Sequence, residues 1–399
     1  MAFHFVFDRR NDSRPYPNLA PEMSNPHESY AGMGDTWPRI APCRLLLYCE
    51  DHGYPYSVHY TDEAVPPGSL YPVGLAWFDY DLDYFARIPE AALDLIRSGQ
   101  IRVLFYYHEG DNPTREYHRL NHLCGLHGLD PACYRFVTGN TAVEDLANFV
   151  YFPDHELFYW RNGVEWNGQP QAYCSAHEEA RTRSFTLLSR VHKWWRATVV
   201  THLLHEGLLD RAYWSYGTVD IGDLPGDNPI MTSPFPGLAE HMHEFLAGAP
   251  YRCDDLTEAE HNSHWILADH LYSDSYASVV LETLYDAEQS GGAFITEKTF
   301  KAILNAHPFV IFGCPGTLAT LRRLGYRTFD HAIDNRYDAI ENNTERFQAT
   351  VGTLRSILAQ EDPGAWYDAC RSDIEHNQAL FRASKYHRLA QLEVKLTGS

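Results

Sequence analysis

The chain has few basic residues for its length. Its 399 residues include 32 Lys and Arg but 53 Asp and Glu, which gives a formal net charge of −21 at pH 7. A field of that sign repels DNA, RNA and anionic lipid. Broad nucleic-acid binding is therefore disfavoured, although a local basic cleft could override the overall charge.

Several common catalytic and metal-binding motifs are absent. No G-x-G-x-x-G or Walker A string is present, which argues against a simple dehydrogenase or kinase. No G-x-S-x-G elbow of a hydrolase is present either. The 22 histidines form no H-E-x-x-H and no pair with cysteines at zinc spacing, so we predict no metal site from them. Their close pairs are His202/His205, His241/His243 and His261/His264.

Targeting and redox signals are also missing. The first residues, MAFHFVFDRRND, lack the charged-then-apolar pattern of a signal peptide, and no long uncharged apolar segment could span a bilayer. The eight cysteines are scattered without a C-x-x-C, which predicts reduced and mostly buried thiols. We therefore expect a cytoplasmic protein with no membrane span.

The composition is that of a folded protein of two domains. The hydrophobic fraction is 44% and the aromatic fraction is 14%, and 399 residues exceed a comfortable single core. The 26 Tyr and 9 Trp include rings of the kind that pack on sugar CH groups, although most aromatic rings fill cores.

Strand and helix signals alternate along both halves. In the first half, apolar runs of strand length flank a helix pattern, Pro89–Ser98, that ends at Gly99. These runs are Cys43–Cys49, Leu75–Tyr80 and Arg102–Tyr107. In the second half the predicted strands are Phe185–Leu188, Ser278–Leu284, Pro308–Gly313 and Arg327–Asp330, and the predicted helices are His192–Glu206, Glu297–Ala306, Pro315–Leu324 and Trp366–Leu396.

This alternation predicts an α/β protein with two Rossmann-like domains facing a cleft, closed by a C-terminal helix. Ligands are then expected at the carboxyl ends of the strands. The predicted segments are an irregular N-terminal arm (1–40), an N-terminal α/β domain (41–160), a linker rich in Gly, Pro and Asn (161–183), a C-terminal α/β domain (184–365) and a C-terminal helix (366–399).

The densest group of charged residues lies between Ser278 and Asp330. Glu282 closes an apolar run, Glu297 and Lys298 open a helix after Thr296, and Lys301 follows one turn later. A helix start with cations suits a phosphate-bearing ligand, and neighbouring carboxylates suit sugar or ribose hydroxyls. We therefore predict a nucleotide-sugar site here.

A second cationic group follows the predicted strand Phe185–Leu188. The string SRVHKWWR places Arg190, Lys193 and Arg196 where a strand turns into a helix, a common way to meet a pyrophosphate. The guanidinium fork suits bidentate phosphate contacts.

Two carboxylates follow the strand Arg102–Tyr107. Glu109, and Asp111 as a second choice, lie on a turn where a general base for an acceptor hydroxyl is expected. The string Asp79-Tyr80-Asp81-Leu82-Asp83 contains two overlapping D-x-D motifs, which leave a metal-dependent transfer open as an alternative.

The string FITEKTFKAI, followed by PFVIFG, resembles the nucleotide-sugar-binding motif of fucosyltransferase-type enzymes and of related bacterial and phage glycosyltransferases of the GT-B fold. The resemblance covers about residues 185–330. The matching positions are Glu282 and Phe294, Ile295, Thr296, Glu297 and Lys298, and Arg190 and Arg196 match the basic residues after the first strand of that domain.

The resemblance implies an inverting, metal-independent glycosyltransferase with no cofactor besides its nucleotide-sugar donor. The donor would lie in the C-terminal domain, and the N-terminal domain would bring the acceptor, which is a glycan, a small molecule or a modified base. Two alternatives stay open: a phage-type transferase that glycosylates modified DNA bases, and a non-catalytic nucleotide- or carbohydrate-binding protein of the same fold.

Overall fold

A computed structural model describes residues 2–8, 43–75, 80, 82–143, 145–164, 181–217, 230, 237–253 and 269–398. The chain divides into two compact units. Unit 1 comprises Met1–Arg161 and Ser384–Ser399, and unit 2 comprises Asn162–Ala383. Within these described ranges, no helix combines the length and the apolar character that crossing a membrane requires.

Unit 1 contains a six-stranded sheet in the order β2-β1-β3-β4-β5-β6, and every neighbouring pair is parallel. Its strands are β1 (Phe3–Phe7), β2 (Tyr56–Tyr60), β3 (Ser69–Leu75), β4 (Ile101–Tyr107), β5 (Tyr134–Thr138) and β6 (Phe149–Tyr151). Its helices are α1 (Leu45–His52), α2 (Glu90–Arg97), α3 (Thr114–Leu126) and α4 (Asp154–Val164), which extends past the unit boundary.

Strand β4 shows why this sheet is covered on both faces. Val103, Phe105 and Tyr107 pack into one apolar cluster, whereas Leu104 and Tyr106 pack into the other. Successive strand residues point to opposite faces, so a run that is apolar throughout needs helices on both sides.

Unit 2 contains a four-stranded parallel sheet in the order β10-β9-β7-β8. Its strands are β7 (Phe185–Ser189), β8 (Ala212–Tyr216), β9 (Ser278–Leu281) and β10 (Phe309–Phe312). Its helices are α5 (Trp194–His205), α6 (Leu238–Ala247), α7 (Asp269–Ser273), α8 (Ala287–Ser290), α9 (Glu297–Leu304), α10 (Thr317–Arg323), α11 (Asn343–Leu358) and α12 (Pro363–Arg382). The predicted α/β class, with a parallel sheet in each half of the chain, is confirmed.

The C-terminal segment differs from the prediction of one long helix over Trp366–Leu396. Helix α12 ends at Arg382, and a separate helix, α13 (Tyr386–Thr397), belongs to unit 1. Lys385, between the two helices, is fully buried, and its Nζ lies 3.1 Å from Glu156 Oε1. The predicted single helix is therefore interrupted at the segment where Lys385 pairs with the buried carboxylate of Glu156.

Two predicted strands are wrong. Cys43–Cys49 contains the start of helix α1, which Gly53 ends in a left-handed conformation at φ 62°. Arg327–Asp330 forms no strand, because Asn377 of α12 takes both backbone groups of Arg327. The Arg327 amide donates to Asn377 Oδ1 at 2.8 Å, and Asn377 Nδ2 donates to the Arg327 carbonyl at 2.8 Å.

Most of the predicted N-terminal arm and of the predicted linker lies outside the described residues. Phe3–Phe7, predicted to be irregular, forms strand β1 inside the sheet, and residues 9–42 lie outside the described residues. Of the predicted linker 161–183, residues 165–180 lie outside them as well. The strand predicted at Leu75–Tyr80 ends at Leu75 as β3, and residues 76–79 are not described.

Candidate functional site

The order in which strands are added to the sheet of unit 2 reverses between β7 and β9. These strands are parallel neighbours; β8 lies on the outer side of β7 and β10 on the outer side of β9. The connections that leave their carboxyl ends therefore diverge, and such a switch point leaves a crevice where α/β proteins bind ligands. The two predicted cationic groups follow these two strands.

The connection after β7 carries Arg190 and Lys193 into helix α5. It is held close to the end of β8, because the Gly217 amide donates to the Ser189 carbonyl at 2.8 Å. A Cβ at Gly217 would come within 1.6 Å of the Arg190 carbonyl oxygen, so only glycine permits this approach. Lys193 stands at the N-cap of α5, and its Nζ donates to the Thr283 carbonyl at 3.1 Å.

Arg196 lies deeper and joins the two connections. Its Nη1 donates to the Val191 carbonyl at 3.1 Å and its Nη2 to the Glu282 carbonyl at 2.7 Å. Burial lowers the pKa of the guanidinium to about 10, which leaves it charged at neutral pH, and Glu282 opposes that shift. With 2% of its surface exposed, Arg196 ties the end of β9 to the connection after β7. The predicted direct contact of Arg196 with a diphosphate stays a prediction, and in the structure both Nη atoms donate to carbonyl oxygens of the protein.

Glu282 is fully buried at the end of β9, and its carboxylate accepts four hydrogen bonds from the protein. Oε1 accepts from the Thr296 amide at 3.2 Å and from Thr299 Oγ1 at 2.6 Å. Oε2 accepts from Thr296 Oγ1 at 2.6 Å and from the Thr283 amide at 3.2 Å. The predicted role as an acceptor for ribose or sugar hydroxyls stays a prediction, and in the structure protein donors occupy both oxygens of this carboxylate.

Helix α9 begins beside Glu282 and presents Lys298. The ammonium of Lys298 contacts Thr283 Oγ1 at 3.2 Å, Thr296 Oγ1 at 3.2 Å and Glu297 Oε1 at 3.0 Å, and 28% of its side chain stays exposed. Glu297 in the first turn complements the positive end of the helix dipole. This helix start therefore offers a held cation to the crevice.

Lys301 adds a second cation on the same helix. Its neighbours Phe300, Ile303 and Leu304 are buried in the core, whereas Lys301 itself is half-buried. Burial lowers its pKa to about 8; Glu297 opposes that shift, and the positive charges of Lys298 and Arg190 favour it. Arg190 after β7 and Lys301 on α9 thus act on each other electrostatically across the switch point.

The predicted general base lies in unit 1, on the turn after β4. The Glu109 side chain is 42% exposed, and its Oε1 lies 3.6 Å from His108 Nε2. Burial and the nearby Arg44 hold the pKa of His108 well below its ordinary value, so the ring is neutral at pH 7. Asp111 is exposed and accepts a hydrogen bond from the Tyr107 hydroxyl.

Asp83, in the D-x-D strings, has a local structural role. Its carboxylate accepts from the Ala86 amide at 3.1 Å and lies 2.8 Å from His127 Nε2. Asp79 and Asp81 lie outside the described residues. Among the side chains that the structure does describe, no group of three or more His, Cys, Asp or Glu is arranged to hold a metal ion.

One threonine of the site, Thr283, and one that supports Glu282 from the core, Thr299, escaped the sequence prediction. Thr283 contributes its carbonyl to Lys193 and its hydroxyl to Lys298, and Thr299 donates to Glu282. A sequence signal was present for Thr299, because Thr296 and Thr299 are three positions apart and share a face at the helix start.

Comparisons with known proteins give the following. No protein-family model matches the chain, and no curated protein matches it. One similar solved structure is an α,α-trehalose 6-phosphate synthase from Burkholderia multivorans, with 13% identity over 84% of this chain and 71% of that chain and a TM-score of 0.39. A second is WaaG, a glycosyltransferase involved in lipopolysaccharide biosynthesis, with 11% identity over 100% of both chains and a TM-score of 0.38. A third is an α1,3-fucosyltransferase, with 10% identity over 89% of this chain and 95% of that chain and a TM-score of 0.35. Scores below 0.5 do not establish a shared fold, so the geometry of the site alone carries the functional conclusion.

Proposed function

We propose that this chain is a glycosyltransferase that moves a sugar from a nucleotide-sugar donor to a hydroxyl acceptor, and that it holds the donor diphosphate at the carboxyl ends of β7 and β9. One observation carries the proposal. The chain has only five lysines and a net charge of −21, yet Lys193, Lys298 and Lys301 lie at this one switch point together with Arg190.

Such a concentration of positive charge suits a departing diphosphate. Negative charge builds up on that group as the glycosidic bond breaks, and fixed cations stabilise it more than they stabilise the bound donor. The starts of α5 and α9 add the positive ends of two helix dipoles. With these groups supplying the charge, we propose that the transfer proceeds without a metal ion.

The base in this proposal is Glu109. An inverting transfer needs one group to take the proton of the acceptor hydroxyl, and an accessible carboxylate at the carboxyl end of β4 is suited to that role. The proton passes from the hydroxyl to the carboxylate as the hydroxyl oxygen attacks the anomeric carbon, and the nucleoside diphosphate leaves with the bonding electron pair.

A thermal-shift panel of GDP-, UDP-, ADP- and TDP-linked sugars tests the donor class. We expect one nucleotide series to raise the melting temperature. The responding donor is then incubated with candidate acceptors, and release of nucleoside diphosphate is measured. Stabilisation without release for any acceptor would favour a non-catalytic binding protein, and no stabilisation by any member would contradict the proposal.

A further inference from the structure

The contacts of Thr296 connect the buried carboxylate of Glu282 to the cation at the start of α9. Its Oγ1 lies 2.6 Å from Glu282 Oε2 and 3.2 Å from Lys298 Nζ. A hydroxyl has one proton to give and lone pairs to receive. Because a carboxylate only accepts and an ammonium only donates, the hydroxyl proton must point to Glu282 and a lone pair to Lys298.

Thr296 cannot serve as a donor to a ligand in this arrangement. It is 1% exposed, and its single proton is committed to Glu282. Glu282 is fully buried and is anchored by three other donors, from Thr296, Thr299 and Thr283. The carboxylate thus fixes the direction of the hydroxyl, and the hydroxyl gives the ammonium of Lys298 a fixed acceptor.

We infer that Thr296 and Glu282 are positioning residues, which act on a bound diphosphate through Lys298 and do not touch it. The inference rests on the proposed function. It replaces the direct contact that the motif resemblance implies for these two positions. A cation that is already held in place loses less freedom on binding, so removing its support weakens binding without removing the charge.

Thr299 supplies a matched control. Its Oγ1 also donates to Glu282 at 2.6 Å, it is also fully buried, but its hydroxyl makes no contact with Lys298 that the structure records. Thr296→Val and Thr299→Val therefore each delete one hydroxyl bond to the same carboxylate. Only Thr296→Val also deletes one of the three acceptors of the Lys298 ammonium, the other two being Thr283 Oγ1 and Glu297 Oε1. Thr296→Ser keeps the hydroxyl.

The probe is inorganic pyrophosphate, titrated by calorimetry into the full chain in buffer without divalent metal, after thermal melts have shown that each variant is folded. We expect Thr296→Val to weaken binding about tenfold, and Thr299→Val and Thr296→Ser to stay within about twofold of the unmodified chain. In a Lys298→Ala background, Thr296→Val should cause no further loss, because its effect passes through Lys298.

Glu282→Gln adds a further test, because an electrostatic role and a positioning role of Glu282 predict opposite changes in pyrophosphate affinity. If the carboxylate acted only as a negative charge near an anion, neutralising it would tighten pyrophosphate binding. A positioning role predicts weaker binding, because an amide nitrogen would replace one of the two oxygens, each of which accepts two hydrogen bonds from the protein.

Each remaining outcome has one meaning. Equal losses for Thr296→Val and Thr299→Val would show a structural role only. A further loss from Thr296→Val in the Lys298→Ala background would show that Thr296 contacts the anion. If Lys298→Ala weakens binding while Thr296→Val does not, the positioning role fails alone. If Lys298→Ala leaves pyrophosphate binding unchanged, or the unmodified chain does not bind it, the proposed function fails and the positioning role fails with it.

Discussion

The partly exposed charged groups proposed for the site differ in sign between the two sheets, although each sheet also has a buried carboxylate at the carboxyl end of an inner strand, Glu282 in unit 2 and Asp8 in unit 1. In unit 2, Arg190 follows β7 and Lys298 stands near the end of β9. In unit 1, Asp8 follows β1 and Glu109 follows close after β4. Both units use parallel strands with helices between them, so the architecture does not set the sign of the charge. The sign of each site charge is set by the individual side chains on the connections that leave the strands.

The two sets of charges also differ in what surrounds them. In unit 2, the ammonium of Lys298 is held by two threonine hydroxyls and a carboxylate and stays partly exposed. In unit 1, Asp8 is buried and accepts from Tyr71 and Thr61, whereas Glu109 is accessible. Held cations suit a diphosphate, and an accessible carboxylate suits proton removal. The comparison therefore predicts that variants in the two units affect different steps.

The largest effect is expected at Glu109. Glu109→Gln should lower turnover by about 10²- to 10⁴-fold, because the amide cannot take a proton, while pyrophosphate affinity stays unchanged. Transfer rates and calorimetry measured together check this separation. Asp111→Asn is the neighbouring control, since that carboxylate is already engaged by the Tyr107 hydroxyl, and it should cost far less. Full turnover in Glu109→Gln would remove the base assignment.

The next effect is expected at Lys298. Lys298→Ala should weaken pyrophosphate binding by about 10- to 100-fold, since a charge-assisted contact is lost. Lys395→Ala is the matched control, because it removes the same charge from an exposed position on α13. Similar losses in both variants would mean that the overall charge, and not a local site, governs binding.

A smaller effect follows from the lowered pKa of Lys301, which is about 8 because of burial. Glu297, Lys298 and Arg190 are the charged groups acting on it. The side chain loses its positive charge as the pH rises through about 8, so pyrophosphate affinity should fall several-fold between pH about 7 and about 9 relative to Lys301→Met. Calorimetry of both proteins across this range isolates the contribution of Lys301.

Lys301 makes folding stability rise with pH, whereas it makes pyrophosphate affinity fall with pH. Its pKa is 10.5 in its ordinary state and about 8 in the fold, so the unfolded chain binds more protons between these values. The contribution of Lys301 to folding free energy therefore rises with pH over that window, in the absence of ligand. Denaturant titrations of the unmodified chain and of Lys301→Met should converge as the pH approaches 10.5 if burial is the cause. A constant difference would contradict it.

The smallest effect on the proposed chemistry is expected at Asp8. Asp8→Ala leaves the buried Tyr71 hydroxyl without its acceptor at 2.5 Å and should lower the free energy of unfolding by about 1–3 kcal/mol. Asp8→Asn keeps an acceptor oxygen and should cost less. Denaturant titration checks both, and calorimetry should show unchanged pyrophosphate affinity. A loss of that affinity in Asp8→Ala would contradict the assignment of diphosphate binding to unit 2 alone.

The sequence allowed the elements of unit 2 to be predicted where local signals were strong. The helix predicted from Glu297 begins at that residue, and the strand Phe185–Leu188 is present as β7 with one residue added. Both have clear local patterns, an apolar face at helical spacing and a short apolar run between turn residues. The same reasoning placed Glu297 and Lys298 at the start of a helix and Arg190 at the turn after a strand, as the structure has them.

What the sequence could not show has a different physical origin. The role of Glu282 depends on Thr296 and Thr299, which the loop brings back from 14 and 17 positions away. The sequence of Arg327–Asp330 is typical of a strand, but Asn377, 50 positions later, forms hydrogen bonds with both the amide and the carbonyl of Arg327. Cys43–Cys49 is apolar apart from Arg44, and periodicity alone cannot separate a buried strand from a buried helix in such a short run.

A crystal structure of the chain with a nucleoside diphosphate tests the central claim most directly. The account predicts phosphate oxygens within hydrogen-bond distance of Lys298 Nζ and of the Arg190 guanidinium, with the Thr296 hydroxyl still bound to Glu282. Phosphates bound elsewhere on the chain, with Lys298 still held only by its threonines and Glu297, would contradict it.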